Sequence, residues 1–226
     1  MGRTAGLRSA ILAVCVMCCV ACDGAEPSNR SADDVALATP SQSPSDAAVN
    51  EVSAERLVSS ELVPTVSLRA GSEWTAIDEG TGALFLDDGN PPGLCFCRVA
   101  AVWNPRTGFA DDPPRDLIGW LDTHPNLDME PPRPRTIDGV KGIEVHGFVS
   151  SASNEFAGGG CLKPGCLLLF HTDELDIDVF PGHQLAFIVL EVGGKRLTIF
   201  WNAATKRFDK FSKQVEDVLT TVRFEE

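Results

Sequence analysis

The strongest patterning lies in the last third of the chain. Leu185–Val192 is almost wholly apolar over eight residues, as expected of a central strand. Gly193-Gly194 is a tight hairpin turn, and Leu197–Trp201 returns beside it. Phe208, Phe211, Val215, Val218, Leu219 and Val222 then recur at helical spacing. Lys206, Lys210, Lys213, Glu216 and Asp217 fall among the exposed positions. Val222-Arg223-Phe224 adds a short final strand. Upstream, Pro64–Leu68, Trp74–Ile77, Ala83–Leu86 and Leu94–Trp103 read as strands, and turn residues crowd Asp87–Gly93. Asp112 before Pro113 reads as a helix start, with Leu117, Ile118 and Leu121 on one face and Pro125 as the stop. Asp138-Gly139 marks a hairpin between Thr136-Ile137 and Val140. Beyond it, Ile143, Val145, Gly147 and Val149 alternate with Glu144, His146 and Phe148, the pattern of a half-buried strand. Ser150–Gly160 reads as a loop and Cys166–His171 as another strand. Strands in meander order, with one helix mid-chain and one at the end, predict an α+β fold: an antiparallel β-sheet with helices packed on one face.

The N-terminus has a different pattern. Arg3 and Arg8 precede an apolar run, Ala10–Ala21, too short to span a membrane. Ala21 stands directly before Cys22. Met1–Cys22 resembles a bacterial lipoprotein signal, which implies lipidation of Cys22 and tethering of the mature chain to a membrane on the extracytoplasmic side. Cys19 departs from that pattern at a position where such signals usually carry Leu. Gly2 does not signal myristoylation, because position 6 is Gly. Asp23 resembles an inner-membrane retention signal that operates in some bacteria, so the choice between inner and outer membrane stays open. Cys22–Arg56 is rich in Ser, Ala, Asp and Pro and has no aromatic residue. Such a stretch buries too little apolar surface to offset its ordering entropy, and it reads as a disordered tether. The expected plan is therefore a signal peptide over 1–21, a tether over 22–56 and a single domain over 57–226.

Charge narrows the function. The chain of 226 residues carries a formal net charge of −13, and removing Met1–Ala21 removes two more positive charges. A surface that tracks a nucleic-acid backbone needs Lys and Arg density that is missing here, so no nucleic-acid partner is expected.

Four cysteines fall in the expected domain: Cys95, Cys97, Cys161 and Cys166. An even number outside the cytoplasm reads as two disulfides. Cys95 and Cys97 point the same way on an extended strand and are poor partners for each other. Cys161 and Cys166 flank a plausible turn and can pair locally, or each can reach across to Cys95 and Cys97. A four-thiolate metal site is the sharper alternative, but C-x-C with C-x₄-C lacks the usual paired C-x₂-C spacing. His124, His146, His171 and His183 show no ligand spacing. His124 reads as a cation at a helix end, and His146 and His171 fall on strands that can face one another. Asp173, Glu174, Asp176 and Asp178 lack the calcium-loop pattern and read as solvated surface or a charged edge strand. No G-x-S-x-G occurs and no nucleophile stands out. Trp103, Asn104, Arg106 and Asp111 mix aromatic and charged character in one loop and form the candidate binding edge.

The strands up to Trp103, Pro114–Pro125 with its Leu-x-x-Trp-Leu and His-Pro, the Asp138-Gly139 hairpin and the ending Leu185–Phe224 resemble a group of uncharacterised bacterial envelope lipoproteins with a PsbP-like domain. The resemblance implies a non-catalytic binding or accessory module without a cofactor. It also favours cross-links between the Cys95–Cys97 region and the Cys161–Cys166 region. Two rivals remain at this point: a metal-binding envelope protein using Cys95, Cys97, Cys161 and Cys166, and an envelope hydrolase using paired carboxylates.

Overall fold

A computed structural model describes residues 55–59, 62–78, 82–89, 93–150, 165–173 and 175–225. All belong to one compact unit, Val49–Glu226. The signal, Cys22, nearly all of the tether, Cys161 and the glycines at 158–160 lie outside the described residues.

In chain order the elements are β1 (Glu55–Val58), β2 (Thr65–Ala70), β3 (Thr75–Asp78), β4 (Ala83–Asp87), β5 (Leu94–Cys97), β6 (Ala101–Trp103) and β7 (Ala110–Asp111). Helix α1 (Leu117–Asp122) follows, then β8 (Leu127–Met129), β9 (Arg133–Ile137), β10 (Val140–Val149), β11 (Leu167–His171), β12 (Asp176–Val179), β13 (His183–Val192) and β14 (Lys195–Ala204). Helix α2 (Thr205–Leu219) and β15 (Arg223–Glu225) close the chain. An eight-stranded antiparallel sheet runs β3-β4-β5-β14-β13-β10-β8, with β9 also paired to β10. A three-stranded sheet, β1-β2-β15, and a four-stranded sheet, β12-β11-β6-β7, complete the fold.

This corrects the expected α+β class with helices packed on a sheet. Among the described residues the protein is β-rich, 52% strand against 15% helix, with two helices. Periodicity reported that helices exist, but not how little of the chain they take. The first helix is only six residues long. The strands, in contrast, outrun their apolar cores: β10, β13 and β14 reach ten residues each. Arg133–Ile137, with Pro134 inside it, also pairs as a strand, β9.

The large sheet is covered on both faces. Leu84, Leu86, Phe96, Ile188, Ile199 and Trp201 pack on one face with Phe208, Phe211 and Val215 of α2 and with Val66 and Leu68 of β2. Cys95, Cys97, Val145, Phe187 and Phe200 pack on the other, with Leu117 and Leu121 of α1 and Leu169 and Phe170 of β11. Two-sided covering explains why β10 departs from the expected half-buried pattern. Glu144 is only 1% exposed while Ile143 is 40% exposed.

Two local expectations also shift. The helix start is Asp116, not Asp112: its Oδ1 accepts from Gly119 N at 2.9 Å. Pro114 disfavours helical backbone at the residue before it, which holds Pro113 outside the helix. Leu94–Trp103 is two strands in different sheets. The chain crosses between them at 98–100, where Arg98 N donates to Gly82 O and Ala100 N to His171 O, both at 2.8 Å. The hairpins are built as expected of Asp-Gly and Gly-Gly. φ is positive at both central residues, 47° and 78° at Asp138-Gly139 and 56° and 73° at Gly193-Gly194.

Candidate functional site

The two hairpin tips lie at the same end of the large sheet, because β10 and β13 run antiparallel with Gly142 opposite Leu190. The next residues outward are Lys141 and Glu191, and Glu191 in turn stands opposite Arg196. Lys141, Glu191 and Arg196 therefore form one row across three strands, on the face that carries Val189 and Val145. Arg98 enters from the end of β5, and Pro113 and Arg115 face them from the loop before α1. Together with Val99, Leu190 and Lys195 these residues line a groove of about 640 Å³, a size suited to a small ligand.

Five cations and one carboxylate line this groove, in a chain whose net charge is −13. Among the described residues, only Arg98 of these cations meets an acid, Asp173. Arg196 donates from Nη1 to Pro114 O at 2.5 Å and from Nη2 to Arg115 O, so its charge fastens the facing loop and meets no carboxylate. Among the described residues, Arg115, Lys141 and Lys195 make no side-chain hydrogen bond or ion pair, and neither does Glu191. All four are exposed. One row further in, Thr198 is fully buried and its hydroxyl has no partner.

A second charged group lies on the opposite face, at the β9 edge. Arg133 Nη2 donates to Glu144 Oε1 at 2.7 Å, and His146 Nε2 lies 2.7 Å from the same oxygen. Arg135 Nη1 stands 3.7 Å from Glu144 Oε2, and its Nη2 bonds Glu216 of α2. Burial pushes the Glu144 carboxyl up, but the hydrogen bonds from His146 and Arg133 outweigh it and hold its pKa at about 2. The edges of Trp201 and Phe208 close over His146, at centroid distances of 6.0 and 5.9 Å. Each carboxylate and guanidinium in this group meets an opposite charge, although Arg135 Nε has no partner among the described residues, and the group ties β9, β10 and α2 together.

The binding-edge residues expected from sequence build the hairpin between β6 and β7. Asn104 Nδ2 donates to Asp111 Oδ2 at 2.7 Å, and Asn104 Oδ1 accepts from Arg106 N at 2.9 Å. Trp103 Nε1 donates to Asp176 Oδ1 at 3.2 Å. Arg106 is exposed at the tip. None of the four lines the groove. The groove residues were missed because they come from four separate stretches of sequence. The readable signal was two hairpin tips carrying Lys141 and Lys195-Arg196 at one end of one sheet.

The cysteine expectation needs correction. Cys95 and Cys97 are free, buried thiols, so no cross-link leaves them. Cys166 is disulfide-bonded. Burial pushes the Cys95 thiol up, and the Cys97 side chain against it adds to the rise. Because the Cys166 sulfur is already bonded, the four cysteines do not assemble as one thiolate set. Among the described residues no group of three or more His, Cys, Asp or Glu side chains could hold a metal ion.

The histidines also part company. His124 is buried rather than a helix-end cation, and burial lowers its pKa to about 4. His171 pairs with Asp176 at 2.9 Å in the four-stranded sheet, so it does not face His146. His183 Nδ1 lies 2.8 Å from Asn202 Oδ1. The acidic run splits between Asp173 on Arg98 and β12, an edge strand. Two carboxylates, Glu73 and Asp217, share a smaller groove of about 260 Å³ with Arg69 and Trp74.

No family model and no curated protein matches this chain.

Proposed function

We propose that the protein is a membrane-tethered extracytoplasmic lipoprotein whose β-rich domain is a non-catalytic binding module for a small anionic ligand. The signal-like Met1–Cys22 supports the anchor, and the resemblance to envelope lipoproteins with a PsbP-like domain belongs to the same reading. The groove at the hairpin tips supports the binding role. One observation carries it: Arg115, Lys141 and Lys195 line one groove as three exposed cations that have no partner among the described residues, in an otherwise acidic protein. Excess negative charge elsewhere repels long polyanions, so the ligand is a small molecule or a short segment and not a nucleic acid.

Two measurements test this. A Cys22→Ala chain should leave the membrane fraction for the soluble extracytoplasmic fraction; retention in the membrane fraction counts against the lipid anchor. Calorimetric titration of the purified protein with small carboxylates, phosphates and acidic peptides should show saturable binding of at least one class that weakens with added salt. The Lys141→Gln/Lys195→Gln double variant should lose most of that affinity, and an unchanged affinity removes the groove as the site.

A further inference from the structure

We infer that the groove takes a short peptide with a free amino group and a surplus of carboxylates, rather than a simple anion. This rests on the reading of the groove as the binding site. The inference comes from the one carboxylate among its cations. Glu191 sits at the centre of the cross-strand row, with Lys141 on one side and Arg196 on the other. Same-face neighbours on paired strands have Cβ atoms about 5 Å apart, yet Glu191 pairs with neither. The Arg196 guanidinium turns instead to the carbonyls of Pro114 and Arg115. Among the described residues Glu191 is thus a free acceptor, with the free donor Lys141 on one side and the occupied Arg196 on the other.

A phosphate or a plain dicarboxylate placed across this row meets Glu191 with like charge, which opposes its binding. A molecule that offers an ammonium together with carboxylates meets the free groups of both signs here. Lys141 takes one carboxylate, Arg115 on the facing loop takes another, and Glu191 takes the ammonium, with Lys195 adding its charge at the rim of the groove. The walls between the charges are aliphatic: Val99, Val189 and Pro113 line the groove. Ile143, opposite Val189 and 40% exposed, continues this strip one row inward. A peptide supplies side-chain carbon for that strip and charged groups for the row, and about 640 Å³ accommodates a short one.

The test is calorimetry on the full chain with four probes: the tripeptide Ala-Glu-Glu, its N-acetylated form, glutarate and inorganic phosphate. The free-amine peptide is expected to bind about ten-fold more tightly than the acetylated one, the worth of one charge-assisted contact. Glu191→Gln should erase that difference, while Lys141→Gln/Lys195→Gln should weaken both peptides alike. Glu191 is exposed, so its substitution leaves the fold intact, checked by an unchanged thermal midpoint. Equal binding of the two peptides, or binding of glutarate or phosphate alone, overturns the peptide assignment and leaves the anion site standing. No saturable binding by any probe overturns both.

Discussion

Glu144 and Glu191 are both glutamates in the large sheet, and each has basic side chains beside it in register. Arg133 stands opposite Glu144, and Arg196 stands opposite Glu191. At Glu144 the pairings are made. Arg133, Arg135 and His146 close on a carboxylate that is 1% exposed, and the rings of Trp201 and Phe208 pack against His146. At Glu191 they are withheld, in the open, although cations flank it on both sides. The same residue types thus serve two ends. A charged group that satisfies itself holds elements together. A charged group left unsatisfied at the rim of a groove has its partners to find elsewhere, and only the second kind points to a ligand.

The comparison can be broken first at Glu144. Glu144→Gln leaves Arg135 facing Glu216 alone across a half-buried edge. Breaking a buried pair costs about 3–5 kcal/mol, and the low end applies because Arg133 is 56% exposed and turns to water. The thermal midpoint should fall by roughly 6–12 °C. The pH dependence shares this origin. The folded-state pKa of Glu144 is depressed, so its stabilising contribution is complete above pH ~5 and is lost as the pH falls through 4.5 toward 2. Urea titrations across that window should show a falling stability in the parent and a flatter limb in Glu144→Gln.

His124 sharpens the contrast, since it is buried like Glu144 but has an unpartnered Nε2. Its folded pKa of about 4 lies below its unfolded value, so the unfolded chain takes up the proton first as pH falls. Stability should drop by as much as about 3 kcal/mol between pH 6.5 and 4, and His124→Gln should remove that limb. If the limb persists, another group sets it.

At the groove, Lys141→Gln/Lys195→Gln should change stability by no more than about 0.5 kcal/mol, because these side chains hold nothing in place. A larger loss in urea denaturation makes them structural and erases the distinction from Glu144. The smallest signal is a null one. A bulky alkylating reagent should leave Cys95 and Cys97 unmodified in the native protein and label both after denaturation, read by peptide mass. Labelling in the native state contradicts their burial.

What the sequence displayed tracks how local each feature is. Leu185–Val192, Gly193-Gly194 and the apolar face of Phe208–Leu219 were plain, because a strand, a turn and a helix face each write their period in neighbouring residues. The expected binding edge was local too, and Trp103, Asn104 and Asp111 proved to be occupied with one another and with Asp176 in building a hairpin. The groove was not visible. Arg98, Arg115, Lys141 and Lys195 are far apart along the chain, and each alone reads as a solvated charge. Glu144 was hidden for a related reason. Alternation on β10 assumes one wet face, and only the packing of α2 and the small sheet shows that both are covered.

Arg196 has a mechanical consequence. Its guanidinium grips two consecutive carbonyls on the far wall while its backbone belongs to the hairpin on the near wall. It acts as a strut, and the span between the walls equals the reach of one arginine. The loop before α1 can therefore change length or composition behind Pro114 and Arg115 without altering the opening. Replacing the strut by the shorter, single-pronged lysine resets the gauge itself, and with it the size of whatever the walls admit.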